Sequence, residues 1–227
     1  MVAFLTRRFD AVVFDLDGSI VDTEMVVHQA WAEIYARHGA VFSLEEWSTG
    51  VGTQGGFDPL AALLRRATRP LPATTDLVEW VRAREEELLS ELNARPGVIE
   101  WISAAEEHGL GLAVASSSPE AWVVHRLRAL GLREHFQAIS TPSNGLPAKP
   151  APDLYLDACR QLGVAPSRAL AVEDSPNGIA SARAAGLTCI AVPNPITASL
   201  DLSRAHLRLA SLMERPLEHL LGIERET

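Results

Sequence analysis

The sequence predicts an α/β protein: a Rossmann-like parallel sheet core interrupted, after its first strand, by an inserted α-helical domain. Three observations carry this expectation. Short apolar runs of strand length alternate with helical stretches from residue 94 onward, a pattern that builds a parallel sheet covered by helices on both faces. The first such run, Ala11 to Phe14, breaks directly into an acidic glycine turn. Between that turn and the next apolar run, about residues 24–93 show helical spacing and no convincing strand.

Taken in order, Ala11 to Phe14 has the composition of a strand buried on both faces. Val26 to His38 carries Val27, Trp31, Ile34 and Tyr35 at helical spacing and stops at Gly39. Ser43 leads into a short helix at Leu44 to Trp47, and Gly50 to Pro59 is a glycine-dense loop. Leu60 to Arg66 and Asp76 to Asn93 are two further helices, separated by Pro70 and Pro72. Arg95-Pro96-Gly97 opens a helix to His108, and Leu110 to Ala115 is an apolar strand. Ser118 then stands as N-cap with Pro119 at the first position of a helix that runs to Gly131. Phe136 to Ser140 is a short strand, and Pro150 and Pro152 introduce a helix over Asp153 to Leu162. Ala169 to Val172 is a strand ending in Glu173-Asp174, Ser175-Pro176 starts a helix that stops at Gly186, and Leu187 to Val192 is a further strand. The leucines of the tail, Leu207, Leu209, Leu212, Leu217 and Leu220, are expected to complete the core. The division expected is a core of residues 1–23 and 94–227 with a helical domain of residues 24–93.

Composition bounds the function. With 227 residues, 47% hydrophobic and 22% charged, the chain has ordinary globular composition and can bury a full core. A net charge of −9 and a pI of 5.3 argue against a nucleic-acid partner, which requires a basic face. Cys159 and Cys189 lie in apolar segments and read as small core residues, not as a disulfide or zinc framework. Met1 to Asp10 lacks the apolar run of a signal peptide, and no stretch approaches the ~18 apolar residues of a membrane span. A soluble, cytoplasmic monomer with no membrane partner is the expectation.

The chemistry concentrates at four places, each directly after a predicted strand or at the start of a helix. Asp15 and Asp17 flank Leu16 at the carboxyl end of the first strand, beside Gly18. Aspartate is disfavoured in buried strands, and ligands of parallel sheets bind beyond this end. Two hard oxygen ligands beside a glycine suit Mg²⁺, which is held by few carboxylates and keeps positions open for water and phosphate. An Asx-turn accounts for Asp22 or Thr23 but not for the Asp15 and Asp17 pair. Ser116 follows the second strand, and Glu173 with Asp174 the fourth. Lys149 is the single lysine beside nineteen arginines. Its compact ammonium is a point charge for phosphate that a planar guanidinium does not replace well.

These residues resemble the four motifs of the haloacid dehalogenase-like hydrolase superfamily, in its branch of β-phosphoglucomutases and small-molecule phosphatases. The first motif is similar to Asp15-Leu16-Asp17-Gly18-Ser19, the second to Val114 through Ser118, the third to Lys149-Pro150, and the fourth to Val172 through Ile179. The helical insertion resembles that family's cap. The resemblance implies a Mg²⁺-dependent phosphatase acting on a small phosphorylated metabolite, a sugar phosphate being one candidate. Asp15 would be the nucleophile that forms an aspartyl phosphate, and Asp17 the acid that protonates the leaving alcohol and then activates water. Metal ligands would be Asp15, Asp174, Glu173 directly or through water, and the Asp17 carbonyl. Ser116, Ser117 and Lys149 would hold phosphate. Glu24, Thr53 and Gln54 are candidate substrate contacts, with solvation of a loop as the alternative.

The resemblance also orders the alternatives. Dehalogenases need no acid at the position of Asp17, and phosphonatases use a cap lysine that residues 24–93 lack. Sugar phosphomutases of this branch carry cations in the loop corresponding to Gly50 to Pro59, which has none, and a histidine one position away from His28. His28 is read as an ordinary helix residue. A β-phosphoglucomutase-like mutase and a non-catalytic phosphate- or Mg²⁺-binding regulator stay open as alternatives. Opening at the linkers near Glu24 and Arg95 to Gly97 is expected of an enzyme with a cap.

Overall fold

A computed structural model describes residues 9–48 and 57–222, apart from the side chain of Asn144. It contains one six-stranded sheet, all parallel, from β1 (Ala11–Phe14), β2 (Gly111–Ala115), β3 (Ala138–Ser140), β4 (Ala169–Glu173), β5 (Thr188–Ala191) and β6 (Leu207–Arg208). The spatial order is β3-β2-β1-β4-β5-β6. β1 therefore lies at the reversal of strand order, where the chain proceeds to β2 on one side and returns to β4 on the other. In open parallel sheets that reversal leaves a crevice beyond the carboxyl ends of the strands.

Helices α1 (Thr23–Arg37), α2 (Leu44–Ser48), α3 (Pro59–Arg66) and α4 (Thr74–Ser90) follow β1. α5 (Val98–Glu107) precedes β2, and α6 (Glu120–Ala129), α7 (Asp153–Leu162) and α8 (Pro176–Ala185) cross between successive strands, with α9 (Leu217–Leu221) at the end. The chain divides into two compact units, one of Met1–Val21, Asn93–Asn194 and Leu200–Thr227, the other of Asp22–Leu92 and Pro195–Ser199.

The sheet unit buries every side chain of β1, β4 and β5, as apolar runs covered on both faces should. One of its cores joins Val13, Ala113, Leu154, Tyr155, Ile179 and Cys189. Both cysteines are free and buried, as their apolar surroundings predict. The tail closes the opposite side: Leu209, Leu212, Leu217 and Leu220 are buried, and the Trp101 indole donates to the Leu212 and Arg215 carbonyls at 3.1 and 3.0 Å. It also supplies β6, a two-residue strand too short to have a readable period.

The helical unit has its own core of Trp31, Ile34, Tyr35, Phe42, Leu63, Leu77 and Val81. Side chains cap the starts of α2 and α3, whereas α4 begins after Ala73 without a side-chain cap. Asp58 accepts from the Ala61 N–H at 3.0 Å, and Ser43 and Glu46 form a capping box before α2. His28 stacks on Phe42 with centroids 5.0 Å apart, which suits an ordinary helix residue.

Candidate active site

Three carboxylates meet at the strand reversal. Asp15 follows β1, Glu173 ends β4 and Asp174 follows it, and one oxygen from each lies within 4.8 Å of the others. All three are buried. Lys149 projects its ammonium into this cluster, 2.5 Å from Asp15 Oδ1 and 2.6 Å from Glu173 Oε1.

The local sequence explains how acids fit so tightly. Gly18 turns the chain after β1 with φ +90°, and a Cβ there would lie 2.2 Å from Asp174 Oδ2. At Gly178 a Cβ would stand 1.9 Å from the Glu173 carboxylate. The two glycines thus let backbone approach the acids more closely than any other residue allows. Ser175 caps α8 by accepting from the Gly178 N–H at 3.1 Å, which fixes that helix end against the carboxylate.

The three acids differ in how fully they are satisfied. Glu173 Oε1 accepts from Lys149 and from the Tyr155 hydroxyl at 2.7 Å, while Oε2 accepts from the Asp174 N–H at 3.2 Å and Ser175 Oγ at 3.3 Å. Asp174 Oδ2 accepts from Asn194 Nδ2 at 2.9 Å. Asp15 Oδ2 is buried and has no hydrogen-bond partner among the described residues. A buried, unsatisfied carboxylate oxygen is costly and calls for a cation or a reaction partner.

Electrostatics follow from burial. Burial pushes the Asp15 carboxyl up to about 7, with Lys149 opposing and Glu173 reinforcing the rise. Asp174 is likewise raised, by burial first and then by Asp15 and Glu173. For Lys149, burial alone would lower the ammonium, but the two carboxylates outweigh it and the net direction is upward. Three carboxylates thus cluster where one ammonium pairs with two of them, Asp15 and Glu173. The excess of negative charge matches a divalent cation, and the hard oxygen donors suit Mg²⁺.

The remaining predicted residues fall as follows. Ser116, buried at the end of β2, accepts the Ser118 N–H on its hydroxyl at 3.0 Å. Ser117 is exposed and accepts the Lys149 N–H at 3.2 Å. Asp17 is half-buried and stands outside the three-acid cluster. Glu24 lies in the first turn of α1, in the helical unit. Thr53 and Gln54 lie outside the described residues.

One expectation is corrected. Ser118 does not cap α6: Pro119 occupies the cap position, and the Glu120 N–H donates to Ser143 Oγ at 3.1 Å. The Ser118 hydroxyl donates instead to Asp17 Oδ2 at 2.6 Å, a charge-assisted bond that outcompetes capping. Sequence reasoning also passed over Tyr155, Asn194, Trp122 and Arg95. The Arg95 guanidinium donates to the carbonyls of Gly18, Val192 at 2.9 Å and Pro193 at 2.7 Å, tying the loop after β1 to the loop after β5. Its position after a predicted linker, beside Pro96, was the only signal available.

Residues 9–186 match the family model described as haloacid dehalogenase-like hydrolase. YhcW of Bacillus subtilis (strain 168) is 38% identical over 93% of this chain and 96% of its own length. Hexitol phosphatase B of Escherichia coli (strain K12) is 33% identical over 95% of this chain and 98% of its own. The crystal structure of a HAD family hydrolase from Deinococcus radiodurans R1, with bound phosphate and sodium, superposes with a TM-score of 0.81 at 32% identity, covering 96% of this chain and 99% of that one. With the parallel sheet and the acid cluster at its strand reversal, these matches make the chain a member of the haloacid dehalogenase-like hydrolase family, among phosphoric monoester hydrolases.

Proposed function

We propose that the protein is a Mg²⁺-dependent phosphatase that hydrolyses a small phosphorylated sugar or polyol through an aspartyl phosphate on Asp15. The observation that carries this reading is the buried Asp15 carboxylate, with Oδ1 against Lys149 and Oδ2 left without a partner. Two oxygens in unlike surroundings suit two tasks, attack on phosphorus and metal binding. Asp15 and Asp174 are the direct ligands of choice, with the Asp17 carbonyl. Glu173, already satisfied at both oxygens, serves best as a water-mediated ligand that also anchors Lys149. Bound there, Mg²⁺ would offset charge on the acids and on the phosphoryl oxygens.

This chain's own groups supply the rest. Lys149 and the N–H groups near Ser116 and Ser117 face the oxygens on which charge spreads in the transition state, where positioning contributes most of the catalysis. Asp17 gives a proton to the departing alcohol and then takes one from the water that cleaves the aspartyl phosphate. The helical unit serves as the cap, with Glu24, Thr53 and Gln54 as candidate substrate contacts. Supporting the substrate class is the likeness to Hexitol phosphatase B, and supporting the anion site is the phosphate held by the Deinococcus hydrolase.

The test is phosphate release from a panel of sugar, polyol and nucleotide phosphates, with and without Mg²⁺. Release should depend on the metal and fall below about one thousandth in Asp15→Asn. Interconversion of a sugar phosphate without release would replace this reading with a mutase. Binding of phosphate or Mg²⁺ without any turnover would make the protein a regulator.

A further inference from the structure

Asp17 is held by two side-chain donors, Ser118 at the end of the second motif and Trp122, which lies outside all four. Its Oδ1 accepts from the Trp122 indole Nε1 at 3.0 Å, and its Oδ2 from Ser118 Oγ at 2.6 Å. Trp122 sits in the first turn of α6, where its own N–H reaches the Pro119 carbonyl at 3.0 Å. The buried Arg126, one turn further on, places its guanidinium 5.0 Å from the indole centroid. That cation over the ring helps hold the indole in place.

The two donors are not equivalent. An indole N–H only donates, whereas a serine hydroxyl can donate or accept. Oδ1 is therefore committed to a group that always requires an acceptor, and a carboxylic O–H oxygen is a poor one. Oδ2 faces a hydroxyl that can turn to suit either state. We propose that Trp122 is a positioning residue for Asp17, tying down Oδ1 and so fixing the orientation in which the carboxyl presents Oδ2, beside Ser118, to the substrate.

The inference rests on the reading of Asp17 as acid and base. In the first step an Asp15 oxygen bonds to phosphorus as the ester P–O bond breaks, the electron pair of the broken bond stays on the departing oxygen, and that oxygen takes the proton from Oδ2. Asp17 is left a carboxylate with a donor on each oxygen. In the second step water attacks the aspartyl phosphate, its proton returns to Oδ2, and the bond from phosphorus to Asp15 breaks to regenerate the carboxylate.

The test compares kcat/KM on two substrates with unlike leaving groups. Glucitol 6-phosphate leaves as an alkoxide and needs the proton, whereas 4-nitrophenyl phosphate leaves as a stable phenolate and does not. Trp122→Phe keeps an aromatic ring and removes the N–H. It should lower kcat/KM for glucitol 6-phosphate by roughly ten- to hundredfold while leaving 4-nitrophenyl phosphate within about threefold. Should the phenyl ring unsettle α6, the benzothiophene isostere of Trp122, which keeps the fused ring and replaces N–H with sulfur, should give the same split. An equal fall on both substrates assigns Trp122 a merely structural role, and no fall on either leaves it without one in catalysis. Both results overturn the inference. Asp17→Asn separates the underlying reading: loss of glucitol 6-phosphate turnover in that variant with wild-type behaviour in Trp122→Phe sinks the inference alone, whereas retention by Asp17→Asn sinks the acid assignment and the inference with it.

Discussion

The arginine-paired carboxylates of the helical unit and the acid cluster of the sheet unit behave in opposite ways. In the helical unit, Glu33 receives the Arg84 guanidinium at 2.9 Å and Glu46 receives Arg66 at 2.6 Å, both pairs partly open to water. Hydrogen bonds from those arginines hold both carboxyls below their ordinary range. In the sheet unit, burial drives Asp15 and Asp174 upward instead. A carboxyl raised in the folded state favours the fold only while it can keep its proton, so the ionised cluster opposes folding at neutral pH. The helical unit uses acids as weak surface ties. The sheet unit spends folding free energy to concentrate three acids where a ligand can exploit them.

The sharpest way to break this contrast is to remove the ammonium that pairs with Asp15 and Glu173. Lys149→Met should abolish phosphatase activity and destabilise the sheet unit by about 3–5 kcal/mol, because Asp15 and Glu173 are left buried without their ammonium. Urea unfolding with and without Asp15→Asn in the same chain checks the cause. The second substitution removes one of the stranded carboxylates and should restore part of the loss. If Lys149→Met unfolds at the wild-type midpoint, the pairing contributes nothing to the fold.

Metal is the complementary perturbation. A cation that binds only the folded protein stabilises it by mass action, about 2.7 kcal/mol at a hundredfold excess over its Kd. Mg²⁺ should therefore raise the Tm of the wild type by several degrees, and Asp174→Asn should blunt the rise by removing a direct ligand. A Tm that ignores Mg²⁺ at millimolar concentration would overturn the assignment of these acids as a metal site. Because the readout is unfolding, it stands apart from any assay of turnover.

How much of this was legible in the sequence depended on the range of the interaction. Asp58 and Ser175 cap within three residues; Ser175-Pro176 was legible as a helix start, whereas Asp58 was read as the end of a glycine-dense loop. The strands β1, β2, β4 and β5 were readable because burial on both faces demands continuous apolar runs. Asp15, Glu173 and Asp174 declared themselves as charged groups where the fold disfavours charge, at or next to strand ends, and Lys149 as the single lysine of the chain. Trp122 and Asn194 gave no such signal. Their partners lie 105 and 20 residues away in sequence, and an aromatic or amide residue in those positions looks like packing or loop. Ser118 misled because a serine before Pro-Glu satisfies every local rule for a cap, while the stronger acceptor, Asp17, arrives from a different strand. β6 was too short to show a period at all.

The smallest effect sharpens the comparison from the other side. The Glu33 carboxyl is depressed below its ordinary 4.5 by the Arg84 hydrogen bonds. A depressed folded value means that the tie contributes fully above pH 4.5 and is lost as pH falls through the lower, folded value. Glu33→Gln should therefore lower the Tm of the helical unit at pH 7 by no more than about a few degrees, since the pair is partly open to water. The difference from wild type should shrink as pH drops below 4.5 and the wild-type carboxyl takes up its proton. It should also shrink at high salt, because solvent ions screen an exposed pair and scarcely reach a buried one. A gap between variant and wild type that persists in acid and in salt would mean that Glu33 acts through packing, and the exposed tie and the buried cluster would then no longer stand as opposite uses of the same chemical group.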